Sequence, residues 1–214
     1  MGMAFLQKVL SRITGLEISA QGSAAGDAMV AQGAASYEEI TRAGLAFHCI
    51  SATSTAAVVA IPTTASLFSI WNSADDGGKS IVIDAVFGFA SDVGAAHEQS
   101  ALIYVLGQTR VATNAGAIVV RRNNGYGATN DSVAICDDVT TLDAVTGVAI
   151  GWMPIGNSVN TAVVSLGGQA LYAPVDGRLI VPPGRLFALH VISASVGGLW
   201  QVGAMWHEKQ LTLG

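Results

Sequence analysis

From Leu45 to the C-terminus the chain is a succession of short apolar runs broken by turn residues, with no convincing long helix between them. The runs are rich in Val, Ile, Phe and Ala and separated by Gly, Asn, Asp and Pro, which is strand grammar. They fall at residues 45–51, 56–62, 66–71, 79–90, 100–108, 116–122, 131–137, 145–154, 160–168, 177–182, 185–195 and 199–209. Many strands without crossover helices predict an antiparallel sandwich or barrel and exclude a parallel sheet. Asp76-Gly77, Asn124-Gly125 and Asp176-Gly177 are strong turn dipeptides. No fixed-period repeat is present, which argues against propellers and solenoids.

Two stretches carry most of the pattern. In residues 66–89, SLFSIWNSADDGGKSIVIDAVFGF, two apolar strands flank an Asn-, Asp- and Gly-rich turn. Strict alternation predicts Ile81, Ile83, Ala85, Phe87 and Phe89 on one side. In the last strand, Trp200, Val202, Ala204 and Trp206 recur every second residue, the spacing of a sandwich core or a subunit contact.

Residues 1–44 differ. Phe5, Leu6, Val9, Leu10 and Ile13 share one helical face, with Gly15 as a natural stop. An amphipathic helix of about three turns is too short to be stable alone in water. The small, weakly patterned residues 20–36 read as an extended arm. A helical turn follows, capped by Ser36 with Glu39 in the capping-box position and ended by Gly44. The expected organisation is an anchoring arm over residues 1–44 and a β-sandwich over residues 45–214.

Charge bounds the partners. Only 12% of the 214 residues are charged and 51% are hydrophobic, against roughly 25% charged in an ordinary soluble domain. A monomer would expose wide neutral patches, so covering partners are expected. Mean hydropathy is +0.50, yet no run approaches the roughly 18 consecutive apolar residues of a membrane helix. The N-terminus lacks the core and cleavage site of a signal peptide. A net charge of −5 with scattered basic residues lacks the electrostatic footprint of a nucleic-acid binder. Neither membrane nor nucleic acid is an expected partner. Cys49 and Cys136, each inside an apolar run, read as buried free thiols made in a reducing cytoplasm.

Catalytic constellations are not evident. His48, His97, His190 and His207 are never one residue apart, as a cupin-type metal site requires, and they read as hydrogen-bonded core or interface histidines. His97-Glu98 and His207-Glu208 would point to opposite strand faces. There is no G-x-S-x-G elbow. The GGKS of residues 77–80 lacks the upstream glycine of a phosphate loop and reads as a hairpin turn. Asp75, Asp76, Asp137 and Asp138 form adjacent pairs at strand ends and read as solvated turns, with a calcium site as the alternative. Around the NGYG of residues 124–127, Arg122, Asn124 and Tyr126 form a candidate glycan-binding group, the alternative being a tight hairpin with one surface aromatic. No cofactor and no catalytic residue is expected.

The stretch LFSIWNSADDGGKSIVIDAVFGF resembles a strand-turn-strand element of bacteriophage structural proteins, with Ser73 in place of the usual Pro and Asp75-Asp76 enlarging the turn. The stretch GRLIVPPGRLFALHVISA, residues 177–194, resembles the penultimate hairpin of viral and phage jelly rolls. Pro182 and Pro183 cannot donate ladder hydrogen bonds, so they end one strand and pin the turn before Arg185. The resemblance covers about a fifth of the chain. It implies a jelly-roll β-sandwich serving as a head decoration (cement), collar or fibre-base protein, usually a homotrimer. Such a non-enzymatic subunit would be made in the host cytoplasm and would join the virion through its arm, on the major capsid or another virion protein. The competing reading is a carbohydrate-binding or adhesive sandwich module of a fibre; an enzyme on a cupin-like barrel comes third.

Overall fold

A computed structural model describes residues 37–75, 78–92, 99–108, 118–125, 132–142, 151–159, 170–194 and 197–211. The chain divides into two compact units, Met1–Glu39 and Ile40–Gly214. Of the first, only residues 37–39 are described, so the stripe of Phe5, Leu6, Val9, Leu10 and Ile13 lies outside the described residues. The expected turn near residue 40 is helix α1, Glu38–Arg42. Gly44 ends it at φ 73°, with Gly44 N donating to Thr41 O and Leu45 N to Ile40 O. Those paired bonds close the helix as a Schellman cap, and the left-handed backbone is what glycine supplies there.

Eleven strands follow: β1 Ala46–Ile50, β2 Thr55–Ala56, β3 Ala65–Asn72, β4 Lys79–Asp92, β5 Gln99–Gln108, β6 Arg121–Arg122, β7 Ala134–Thr141, β8 Met153–Val159, β9 Ala170–Val181, β10 Leu186–Ser193 and β11 Leu199–Gln210. They form two sheets in which every pairing between these strands is antiparallel. The first sheet runs β6-β1-β11-β4-β9, with β2 also on β11; the second runs β7-β3-β10-β5-β8. The all-β, two-sheet expectation is met.

The core lies where the inward residues of both sheets meet. Trp200, Val202, Ala204 and Trp206 of β11 are all buried in it, as their spacing predicts. Trp206 stacks on Phe47 of β1, ring centres 6.2 Å apart, and Phe187 of β10 stacks on Tyr104 of β5 at 6.1 Å.

β4 departs from the expected single face. Ile83 lies opposite Trp206 and Ala85 opposite Met205, so Asp84 is one residue more than β11 provides. A one-residue bulge reverses the alternation beyond it. Ile81 and Ile83 therefore point into the core, Val86 and Ala90 take over after the bulge, and Phe87 and Phe89 face outward. On the other side of β4, Ile83 pairs with Leu179 and Ala85 with Pro174. Residues 175–178 loop out opposite Asp84, with Asp176 at φ 50° and Gly177 at φ 75°. Asp176-Gly177 is thus a bulge inside β9 and not a hairpin turn. Gly125, at φ 66°, does close a turn, its N donating to Arg122 O at 3.3 Å.

Other strand expectations shrink or fall outside. Residues 56–62 give only the end of β2 and a bridge from Val58 to Ile192, while Val59 and Ile61 are exposed. Residues 116–122 reduce to a bridge at Ile118 and the two residues of β6. Residues 143–150 and 160–169, together with Asp76-Gly77, lie outside the described residues.

The two stretches singled out in the sequence meet at one end of the sheets, and neither is a hairpin. β3 and β10 belong to the second sheet, β4 and β9 to the first, so both connections are corners between sheets. The Pro-Pro-Gly corner ends β9 at Val181, as expected, and Arg185 N donates to Pro182 O. Asn72 stitches the corners together. Its Nδ2 donates to Lys79 O and Val181 O, each at 2.9 Å, and its Oδ1 accepts from Ala74 N. Its backbone exchanges bonds with Gly184 N and Arg185 O. A buried amide that satisfies this many main-chain groups is costly to replace.

Nearby, Glu208 of β11 is buried. It accepts from Ser132 Oγ and from Val133 N, with Lys79 Nζ 3.6 Å away. The carboxylate ties the first sheet to the chain entering β7. Asp137 and Asp138 are also not solvated turns. Both lie within β7, Asp137 buried, and Asp138 Oδ2 accepts from Ala52 N, Thr53 N and Thr53 Oγ1.

Candidate interaction surfaces

Each sheet has an outer face, and the bulge at Asp84 decides what the first one shows. Register places Ile50, Gly203, Phe87 and Tyr172 in one row across β1, β11, β4 and β9. The adjacent row is His48, Met205, Ala85 and Pro174, and beyond the first row Gln201 lies beside Phe89 and Ala170. None of these eleven residues carries Lys, Arg, Asp or Glu. Tyr172 is 65% exposed, Phe89 and Met205 38% each. Gly203 is needed in the middle: a Cβ there would stand 2.3 Å from Cys49 O and 2.8 Å from the Phe87 ring. The phenyl ring therefore lies across the glycine. Contiguous exposed apolar side chains on a neutral sheet face mark a contact surface.

The second sheet's outer face is closed by the chain itself. Ile103 and Val105 of β5 and Leu186 and Ala188 of β10 are buried with Leu142 and Trp152 in a second apolar cluster. Trp152 Nε1 donates to Pro62 O at 2.8 Å, and Leu142 N donates to Thr64 O at 2.7 Å. His190 is buried beneath this cover, edge-on to Trp152 at 6.3 Å. Its Nδ1 lies 2.8 Å from Val191 N and 3.0 Å from Val191 O. Burial lowers its pKa from the ordinary 6.5, against a smaller raising effect of the Val191 backbone.

The candidate glycan group is only partly placed. Arg122 pairs with Phe47 and Arg121 with His48, so the two arginines face opposite ways. Asn124 is exposed and Arg122 half-buried. The Asn124 amide and the Arg122 guanidinium both come within 4 Å of where a Gly44 Cβ would be, which brings the pair together. Tyr126 lies outside the described residues. His48, which sequence spacing did not connect to this loop, has its Nδ1 2.6 Å from Asn123 Oδ1. No local signal could have joined residues 75 positions apart.

His207 bonds Asp84 at 2.8 Å and faces outward while Glu208 faces in, as alternation requires. Among the described residues no three His, Cys, Asp or Glu side chains are grouped to hold a metal. A shallow hollow of about 400 Å³ is lined by Gln99, Ala101, Pro154, Ile155 and Gly156, none of them titratable. Among the described residues no helix is long and apolar enough to cross a membrane. No protein-family model matches the chain, and no curated protein is similar to it in sequence.

Proposed function

We propose that this chain is a non-enzymatic structural subunit of a phage-like virion, a jelly-roll sandwich that assembles as a homotrimer and docks on the capsid or head–tail region through residues 1–44. The observation that carries the reading is strand order. Sheet one contains β1-β11-β4-β9 and sheet two β3-β10-β5-β8. Along the chain these eight strands alternate between the sheets, except for the step from β5 to β8. Two interleaved Greek keys produce that order, and it is the architecture of viral capsid domains. β6 and β7 extend the two sheets at corresponding edges.

The neutral face around Phe87 and Tyr172 gives the trimer its contact. In a ring of three a different surface of the neighbouring copy covers it, and this side brings no charge to desolvate. Sedimentation equilibrium of the full-length chain at micromolar concentration tests the reading. A trimer mass is expected, and a monomer that stays soluble for days overturns it. Jelly rolls also serve as lectin domains. A trimer that binds immobilised glycans, and loses that binding with Arg122→Ala, would move the assignment to the adhesive module.

A further inference from the structure

The two cysteines, 87 positions apart in the sequence, converge between the sheets. Cys49 is on β1 of the first sheet and Cys136 on β7 of the second, both buried in the same core cluster. The segment before β6 brings them together. Ile118 bridges Cys136, its N donating to Cys136 O at 3.1 Å, and the next residue's carbonyl, Val119 O, lies 3.8 Å from Cys49 Sγ. The Cys49 thiol is near enough to Cys136 to raise its pKa. Both are reduced.

We propose that Cys49 and Cys136 are a modification site, a dithiol that a small peroxide converts into a disulfide joining the two sheets. In the first step one thiol ionises and its thiolate attacks hydrogen peroxide; the O–O bond breaks, giving a sulfenic acid and hydroxide, which takes up the released proton as water. In the second, the other thiol's sulfur attacks the sulfenic sulfur, displacing hydroxide, which leaves as water with the thiol proton. Two thiols and one peroxide thus give one disulfide and two waters. A small oxidant suits a site with no room for a bulky disulfide donor.

Burial sets the pace. It holds the Cys136 thiol well above its ordinary pKa, reinforced by the neighbouring Cys49 thiol and by the charge of Asp137. The thiolate is the nucleophile, so closure is slow at neutral pH and accelerates with pH. Closure requires only that the chain folds reduced and later meets an oxidant.

The test is intact mass and peptide mapping of the full-length folded protein after hydrogen peroxide, with the peroxide removed and unreacted thiols then alkylated in acidic denaturant. The expected product has lost two hydrogens and yields a cross-linked pair of peptides carrying Cys49 and Cys136. Its rate rises roughly tenfold per pH unit between pH 6 and 8, and its unfolding midpoint is higher until dithiothreitol is added. Cys136→Ala abolishes the cross-link and leaves Cys49 as a sulfenic or sulfinic acid. Two alkylatable thiols after prolonged peroxide, or two sulfinic acids in the native chain without a cross-link, would overturn the proposal.

Discussion

The outer faces of the two sheets are built from the same kind of side chain and are finished differently. On the second sheet Ile103, Val105, Leu186 and Ala188 are sealed under Leu142 and Trp152. On the first, no described segment covers Phe87, Phe89, Tyr172 and Met205, which remain partly or largely accessible. Apolar composition on a sheet face therefore does not by itself identify an interface; what matters is whether the chain returns to close it. The closing residues come from connections, not from strands. Leu142 follows β7, Trp152 precedes β8, and Pro62 holds the indole from the segment after β2.

The largest test of that difference is Trp152→Ala. It removes the cover from one face without touching the core between the sheets. Truncating a buried tryptophan costs about 3–5 kcal/mol, so urea unfolding should show a loss of that order. A change under about 1 kcal/mol would mean that the second face is open in solution too, and the contrast would collapse.

Both faces are only partly legible in the sequence, for different reasons. The inward pattern of β11 can be read directly, because Trp200 to Trp206 keep an unbroken period of two. β4 misleads at Asp84, where one inserted residue moves Phe87 and Phe89 from core to surface, and nothing local marks a bulge. The first half of β9 is hidden because Asp176-Gly177 reads as a turn ahead of the expected strand at 177–182, although its inward residues Leu171, Ala173 and Val175 alternate cleanly. Val59 and Ile61 err the other way: their run looks like a strand, yet it reaches the second sheet only through one bridge. The corners are legible as turns but not as corners. The partners of Asn72 at Val181 and Arg185 lie more than a hundred positions away, beyond any local signal.

A smaller effect sharpens the comparison through pH. His190 sits under the cover with its pKa depressed by burial, so the folded chain holds it neutral where the unfolded chain already binds a proton. Stability from this group is complete above about pH 6.5 and falls as pH drops through the lower folded value. Unfolding free energy measured between pH 7.5 and 5 should decline, and His190→Gln should flatten that part of the decline. An unchanged profile in the variant would show that His190 is not sealed.

The smallest expected effect on folding is the most informative about the open face. Tyr172 is 65% exposed and lies beside Phe87 in the register, at the outer strand of the first sheet. Replacing it with serine removes apolar area that is mostly exposed in the single chain, so monomer stability should change by no more than about 0.5 kcal/mol. If the face is the contact between copies, the same ring becomes buried on assembly. Aromatic residues at the centre of such contacts commonly account for about 2 kcal/mol or more each, which is more than tenfold in association at every interface. Sedimentation and chemical denaturation at matched concentrations separate the two quantities. Weaker assembly with unchanged monomer stability assigns Tyr172 to an interface. Unchanged assembly places the contact elsewhere, and a large loss of monomer stability would mean that the ring is covered by its own chain, as on the second sheet.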